Sequence, residues 1–587
     1  MEMLPDQRIY LSYTLPIIGV LTLITRPCIN RLEIFKIGSI SVLAVLYAIP
    51  LYIYYVYIKA RMYSPESILA VIGNVPIEEY IHVVVQTILT LLWSLIFIQW
   101  SIPCLSFNCD KYSYQLIRWL PISLLSTVMV TGYMMVVLTQ ENFYLGCILC
   151  WASPAIMLMW YGTGNFFVKK IIPLLIAIAG PTLYMCWINR MTVKDDKDMG
   201  ELALKEVFFL ITNLMVVLAG SCFDKAYGMI ITYSLEFPHQ FSVSWRFVRQ
   251  MLRAFATSEY SMPSEVVEDI KANIKVLNTS NAFGTSNYLF HVGIRLDLII
   301  LYSFCRVTDE MFDNKTDEKK KKVKLDLSKQ FISEIFADRK SDYEVKKVPQ
   351  KLNIDWQKYE SEFTDVELSS YRAVSRIAFF LPRKPFEELF TGYQWDLDFT
   401  LVQNEKDLML YTTYVAGSIG ALCVYVFIYR YGNDIDDLYD KADYLTKCAY
   451  KIGQGLQLVN IARDLVTDSE TLGRCYFPAE YMDDEKEDLR ILCQEKNPRS
   501  LGNKKLKKYC SKMIQLANKK QFESMGAIKY LPQDLVGSVL AATEIYRELI
   551  DVIQSCPIYP TRATIPKWSK LLIVLNSFYI KSIQYIF

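Results

Sequence analysis

Stretches without a single charged residue dominate the first 222 positions of this chain: Ile9–Thr25, Ile37–Ile58, Tyr80–Cys109, Trp119–Gln140, Asn142–Val168, Ile171–Asn189 and Val207–Phe223. A helix needs roughly 17 to 25 predominantly apolar residues to cross a bilayer, and an unclosed sheet cannot satisfy its backbone there. The pattern therefore predicts seven membrane-spanning helices, the two longest runs including loop. Trp93, Trp100, Trp119, Trp151 and Trp160 fall near the predicted span ends, where interfacial aromatics belong. From Asp224 onward the apolar positions recur at helical spacing, broken by Pro, Gly and charge, with no alternation long enough for a sheet. The fold class predicted is all-α: a membrane bundle over 1–223, a linker with leading helices over 224–277, and a second helical domain over 278–587. Inside the latter, Asn314 to Tyr359 is lysine-rich, with Lys319 to Lys322 in a row, and reads as a solvated insertion or loop. A grip on a membrane surface is the sharper alternative. The apolar stretch Leu571–Phe587, with Lys581 in its middle, reads as a packed terminal helix.

Charge sharpens this division. Of the charged residues, 27 lie in 1–222 and 97 in 223–587, so the two parts prefer different solvents. A net charge of +2 gives no reason to expect a nucleic-acid partner. Among 14 cysteines the one close pair, Cys147 and Cys150, lacks the second pair or nearby His of a zinc site, and three histidines argue against a His-ligated metal. Buried thiols in a reducing compartment are expected. No cleavable signal peptide is expected, because the first apolar run has no basic leader and is followed by Arg26 and Pro27. The basic residues between spans place the N-terminus away from the cytosol and the second domain inside it.

The candidate chemistry lies in two acidic motifs. In YSFCRVTDEMFD, Asp309 and Asp313 stand one helical turn apart; in QLVNIARDLVTD, Asp464 and Asp468 repeat the spacing. One such pair alone usually decorates a wet helix face. Here each follows apolar sequence, Leu301–Phe304 and Leu456–Ile461, and each has an arginine just before it, Arg306 and Arg463. Clustered carboxylates beside apolar flanks need cations, and the arginines suit a polyanion, so magnesium with a diphosphate fits the demand; manganese could take the same role.

These motifs, with GRCYFP at Gly473–Pro478 and YTTYVAGSIG around Tyr411, resemble those of the squalene and phytoene synthase family over about Asn278 to Lys570. The resemblance implies an all-α fold whose cavity is faced by two aspartate-bearing helices. It implies that Asp309, Asp313, Asp464 and Asp468 hold the metal, and that Ser280, Arg306, Gln457, Asn460, Arg463 and Arg474 surround the diphosphates. Tyr411 would stand near the carbocation, and Gly417 and Gly420 would allow close helix approach. The implied reaction ionises one allylic diphosphate, joins the second prenyl chain as a cyclopropyl intermediate, then ionises and rearranges it. The family often has Ser-x-Ser-Phe before the first motif, where this chain has Ser280, Asn281, Ala282 and Phe283. A missing hydroxyl of that kind is worth roughly 1.5 to 3 kcal/mol of charge-assisted bonding.

In the membrane half, VIGNVPIEEY puts Glu78 and Glu79 at the start of the third span, and ALKEVFFLITN aligns Glu206 with Glu79 and Lys205 with Glu78, as two related three-span units would. Ionisable residues inside a bundle mark a site by default. This half resembles the membrane lycopene cyclase of fungal-type bifunctional carotenoid enzymes, in which bundle carboxylic acids protonate the end of lycopene. The resemblance makes Glu78, Glu79 and Glu206 the acid candidates. Three acidic positions of that family are absent: Pro50, Leu51, Tyr52 replace Pro-Trp-Asp, Asn189 follows Trp187 where an Asp is usual, and Lys205 replaces a Glu.

The function expected is head-to-head condensation of two geranylgeranyl diphosphates to phytoene, without NADPH, together with lycopene cyclisation, in the endoplasmic reticulum bilayer beside other carotenoid enzymes. The alternatives are a squalene-type synthase using farnesyl diphosphate and NADPH, or a synthase whose membrane half is only an anchor or scaffold.

Overall fold

Seven long helices take up the seven charge-free runs. The computed structural model describes residues 4–58, 70–107, 110–139, 142–192, 199–233, 245–278, 290, 292–313, 318–346, 352–431, 438 and 440–585. The helices are α1 (Leu4–Thr25), α2 (Arg31–Tyr57), α3 (Ile77–Ile98), α4 (Lys111–Leu138), α5 (Phe143–Lys169), α6 (Ile171–Thr192) and α7 (Met199–Tyr233). A short amphipathic helix, α8 (Trp245–Ala256), belongs to the same compact unit, which spans Met1–Ser234 and Val243–Val267; the second unit runs through Glu268–Phe587.

Within the first unit α3 and α7 are central. Both α1 and α2 pack on α3, both α5 and α6 pack on α7, α3 also meets α6, α7 meets α2, and α3 meets α7. This arrangement repeats the two three-span units read from the sequence. Each surrounding span carries an interior proline, Pro16, Pro50, Pro121, Pro154 and Pro181, whereas α3 and α7 have none. A proline removes one helical N–H and leaves the carbonyl four residues earlier without its donor. Trp160 Nε1 supplies that donor to the Ile117 carbonyl, 2.9 Å away, opposite Pro121. Trp151 and Tyr47 donate reciprocally to each other's carbonyls at 3.0 and 2.6 Å, and Trp93 reaches the Ile176 carbonyl at 3.1 Å. These three tryptophans therefore tie neighbouring helices together through their indole N–H groups. Trp100 and Trp119 remain exposed.

Helix α9 (Ser264–Asn278) begins in the first unit and ends in the second, which contains α10 (Val292–Asp313), α11 (Glu318–Ile335), α12 (Asp365–Ile377), α13 (Arg383–Leu397), α14 (Glu405–Tyr431), α15 (Ala442–Leu472), α16 (Asn503–Ser524), α17 (Gln533–Ser555) and α18 (Lys567–Tyr579). Helix α14 is long and apolar enough to cross a membrane, but 61% of its apolar window is buried inside the unit. It is a core helix. Its close neighbour is α15: a Cβ on Gly420 would collide with the Ala449 carbonyl, and one on Gly453 with the Ala416 carbonyl, so glycine sets the spacing of the two backbones.

The lysine-rich stretch is not a loop over 318–335. It forms α11, because Leu325, Ser328, Phe331, Ile332 and Ile335 make one buried face. Lys324 pairs with Glu367 at 2.7 Å and Lys321 donates to the Phe312 carbonyl at 2.7 Å. Residues 314–317 and 347–351 lie outside the described residues. The terminal stretch forms α18, whose Phe578 lies against Gly537 of α17 while Trp568, Leu571, Leu572 and Leu575 stay exposed, so it is packed along one side only.

Candidate functional site

The first motif is presented by α10. Its apolar face is anchored by Phe304, whose ring meets Tyr371, Phe386 and Phe390 at centroid distances of 4.9, 5.6 and 6.3 Å. The helical repeat then turns Arg306, Asp309 and Glu310 away from that core. Arg306 Nη1 is 3.4 Å from Asp309 Oδ2 and its Nη2 is 2.8 Å from Glu310 Oε1. Asp313 ends α10, but its side chain lies outside the described residues, as does Ser280.

The second motif lies on α15, where Leu458, Ile461, Ala462 and Leu465 are buried and Asn460, Asp464 and Asp468 share the opposite face at intervals of four. Arg463 forks onto Asp464, with its Nε 2.8 Å from Oδ1, and Arg562 approaches the same oxygen at 3.2 Å. Asn460 Nδ2 donates to Gln457 Oε1 at 3.3 Å, while Asn460 Oδ1 is buried without a hydrogen-bond donor. Helix α15 ends in left-handed Gly473, φ 64°, and the Arg474 amide turns back to the Asp468 carbonyl at 3.3 Å. That turn delivers Arg474 and Tyr476 to the site.

Between the motifs sits a phenol pair on one carboxylate. Tyr411 and Tyr476 stack at 4.9 Å and 17°, and both donate to Asp396: Tyr411 at 3.2 Å to each oxygen, Tyr476 at 3.0 Å to Oδ1. Arg474 Nη2 reaches the Asp396 carbonyl at 3.5 Å, and the Trp395 ring stands 6.0 Å from Tyr411. Burial, then the Asp396 charge, pushes both phenols well above the ordinary tyrosine range; Asp309 adds to the shift at Tyr411 and Asp468 at Tyr476. The pair thus lies within electrostatic reach of both motifs and stays protonated as a donor. A wide turn, Thr413–Gly417, interrupts α14 directly after Tyr411; such turns recur at functional sites.

Among the described residues, no three Cys, His, Asp or Glu side chains converge as a self-sufficient metal cage. The donor set still suits a hard divalent cation: carboxylate oxygens in pairs, plus the unsatisfied Asn460 Oδ1. Magnesium takes one or two protein carboxylates and completes its shell with water and phosphate oxygens.

In the membrane unit a hairpin of Val71–Ile72 against Val75–Pro76 turns through Gly73 and Asn74, φ 56° and 65°, and leads straight into α3. Glu78 and Glu79 therefore sit on its first turn, 5% and 2% exposed. Val83, one turn after Glu79, packs with Val75 and the buried Tyr52, bordered by Tyr80, Trp151 and Phe208. Glu206 is placed differently: Arg190 grips it with Nε–Oε1 at 2.6 Å and Nη2–Oε2 at 3.0 Å. Seven residues beyond Glu79 and Glu206, the equivalent positions Gln86 and Asn213 meet, with Gln86 Nε2 3.0 Å from Asn213 Oδ1. Thr90 donates to that oxygen at 2.8 Å, and Asn213 donates to Thr182 at 3.0 Å. Leu51, Tyr52 and Asn189, which stand where the lycopene cyclase pattern differs, are all buried in the bundle.

A squalene/phytoene synthase family profile matches residues 278–569, bracketing both motifs and the phenol pair. This half belongs to the squalene/phytoene synthase family. Synthases of this family handle diphosphate substrates with a divalent metal. Over nearly its whole length the chain is similar to proteins named bifunctional lycopene cyclase/phytoene synthase. It is 29% identical to that of Blakeslea trispora over 99% of this chain and 96% of the relative. To that of Phycomyces blakesleeanus it is 29% identical over 98% and 96%, and to that of Neurospora crassa 27% identical over 97% and 99%. A crystal structure of a dehydrosqualene synthase aligns at 18% identity over 55% of this chain and 98% of its own, with a TM-score of 0.40.

Sequence reasoning missed two members of the synthase site. Asp396, in YQWDLD, has no acidic partner at helical spacing on the same face, so nothing in its neighbourhood distinguishes it. Tyr476 lies within the GRCYFP motif already singled out, and an aromatic between Arg474 and Pro478 was the available signal.

Proposed function

We propose that the chain is a bifunctional carotenoid enzyme: the synthase half joins two geranylgeranyl diphosphates into phytoene, and the membrane half closes the ends of lycopene into rings. The observation that supports this best is similarity along nearly the whole chain to relatives that join the same two parts in the same order.

In this reading Asp309, Asp313, Asp464 and Asp468, with Asn460 beside them, hold magnesium or manganese. The bound metal neutralises the diphosphate and eases its departure. Arg306, Arg463, Arg474 and Gln457 bind phosphate oxygens; Arg463 does so by exchanging Asp464 for phosphate. The first diphosphate leaves with the C–O bonding pair, the allylic cation adds to the double bond of the second chain, and loss of one proton closes the cyclopropane. The second diphosphate then leaves with its bonding pair, the cyclopropylcarbinyl cation rearranges and opens, and loss of a second proton forms the central double bond of phytoene. Tyr411, Tyr476 and Trp395 offer ring faces to the cation and keep water from it. Asp396 positions the two phenols. No NADPH is used.

For cyclisation, Glu79, with Glu78 beside it, gives a proton to the terminal double bond of lycopene. The ring closes on the resulting cation and a ring proton is lost, so the step is an isomerisation with no net change in atoms. Tyr52, Tyr80, Trp151 and Phe208 supply the aromatic surroundings that the missing acid positions do not. The seven apolar spans support a site within a bilayer, here assigned to the endoplasmic reticulum with the synthase half in the cytosol.

One observation favours a second reading, in which the membrane half is only an anchor: the fork of Arg190 on Glu206 occupies the carboxylate aligned with Glu79. Product analysis separates them. Cells accumulating geranylgeranyl diphosphate should make phytoene when the full chain is expressed, and cells accumulating lycopene should make cyclic carotenes. Unchanged lycopene would establish the anchor, and squalene in place of phytoene would overturn the substrate assignment.

A further inference from the structure

Helix α8 is built to lie on a membrane, and nothing in the proposed chemistry uses it. Its sequence, WRFVRQMLRAFA, holds three arginines and no acid. One face is docked on the spans. Phe247 and Ala254 are buried there, the Phe247 ring is 5.9 Å from Phe35 of α2, and Phe255 fills the space that a Cβ on Gly162 of α5 would need. Lys225, fully buried near the end of α7, donates through Nζ to the last carbonyls: Ala254 at 2.9 Å, Phe255 at 3.2 Å and Thr257 at 2.8 Å. An ammonium against the negative end of a helix dipole pins α8 to the bundle.

The other face combines two chemistries. Trp245, Arg249, Leu252 and Arg253 follow the i, i+4, i+7, i+8 repeat and are all exposed, Trp245 at 76% and Leu252 at 61%. No ion pair among the described residues engages the side chains of Arg249 or Arg253. An indole and a leucine interleaved with guanidinium groups match the boundary where acyl chains give way to headgroups. We infer that this face of α8 binds the anionic phospholipid headgroups of the leaflet at the end of the bundle where α7 finishes. The occupant follows from charge complementarity and from continuity with the spans: α8 is clamped to helices that are themselves in the bilayer, so the adjoining surface is lipid.

The test uses the purified full chain in nanodiscs. The emission of Trp245 is isolated as the difference between the native protein and Trp245→Phe, and is quenched with lipids brominated in the upper acyl chain, either phosphatidylserine or phosphatidylcholine. The expected result is quenching by both, several times stronger with the serine lipid at equal dose. Replacing Arg249 and Arg253 by Gln should reduce that preference by about fivefold per arginine, whereas lysine at both positions should retain it. All these positions are exposed, and synthase turnover in detergent, unchanged in every variant, verifies folding. A Trp245 component that neither lipid quenches, or that both quench equally, overturns the inference; the first result would mean that the face meets water or an acidic protein.

Discussion

The synthase site and the Gln86–Asn213 centre of the membrane bundle treat buried polarity in opposite ways. In the synthase half the site charges stand in excess of what their neighbours satisfy: Asp464 shares two arginines, Asn460 Oδ1 has no donor, and one carboxylate holds two phenols. In that centre of the membrane half Gln86, Thr90, Thr182, Thr212 and Asn213 satisfy one another as a closed set. A closed set has no valence left for a ligand; it ties helices together. A site with unspent donors and acceptors is arranged for something that arrives. By this criterion the Gln86–Asn213 centre is a structural tie between helices.

The strongest way to break the comparison is at the carboxylates. Asp309→Ala or Asp464→Ala should lower phytoene formation by roughly a thousandfold while circular dichroism stays unchanged; turnover near the native rate would remove the metal assignment. Glu79→Gln should lower ring formation by on the order of a hundredfold and leave phytoene untouched, as measured by carotene profiles of the same cells. If both products fall together, the glutamate is structural. Tyr476→Phe removes one hydrogen bond to Asp396 and should slow coupling by roughly tenfold or somewhat more, without changing thermal stability. The smallest effect is expected in the bundle, where Asn213→Leu should cost roughly 1 to 2 kcal/mol of stability, seen as a lower unfolding midpoint in detergent. Loss of ring formation from Asn213→Leu at full stability would show that the closed set is part of the site after all.

Much of this architecture was legible because the bilayer imposes a length and an absence of charge that seven stretches meet. The two acidic motifs were legible for a related reason: paired aspartates with an arginine are costly unless a ligand compensates them. Asp396 was not, since its meaning depends on α13 meeting both the first two turns of α14 and the turn after α15, three segments that no local pattern connects. The lysine run misled for the opposite reason. Charge density in that stretch masks a buried face of five residues, four of them apolar, and burial of Phe331 and Ile332 outweighs the solvation of Lys319 to Lys322. The tryptophans misled because their acceptors are carbonyls on other helices, one of them, Ile117, left without its donor by Pro121.

Those prolines also decide which parts of the bundle can yield. Helices α3 and α7, which carry Glu79 and Glu206, keep an unbroken ladder, while every span around them has a built-in joint. A rigid polyene entering from the side would be admitted by flexing the outer staves, and the two inner posts would hold the acid at a constant height. Under the proposed cyclisation the bundle would be a sheath bending around a fixed spine, and the geometry of proton delivery would survive the passage of a guest nearly as long as the membrane is thick.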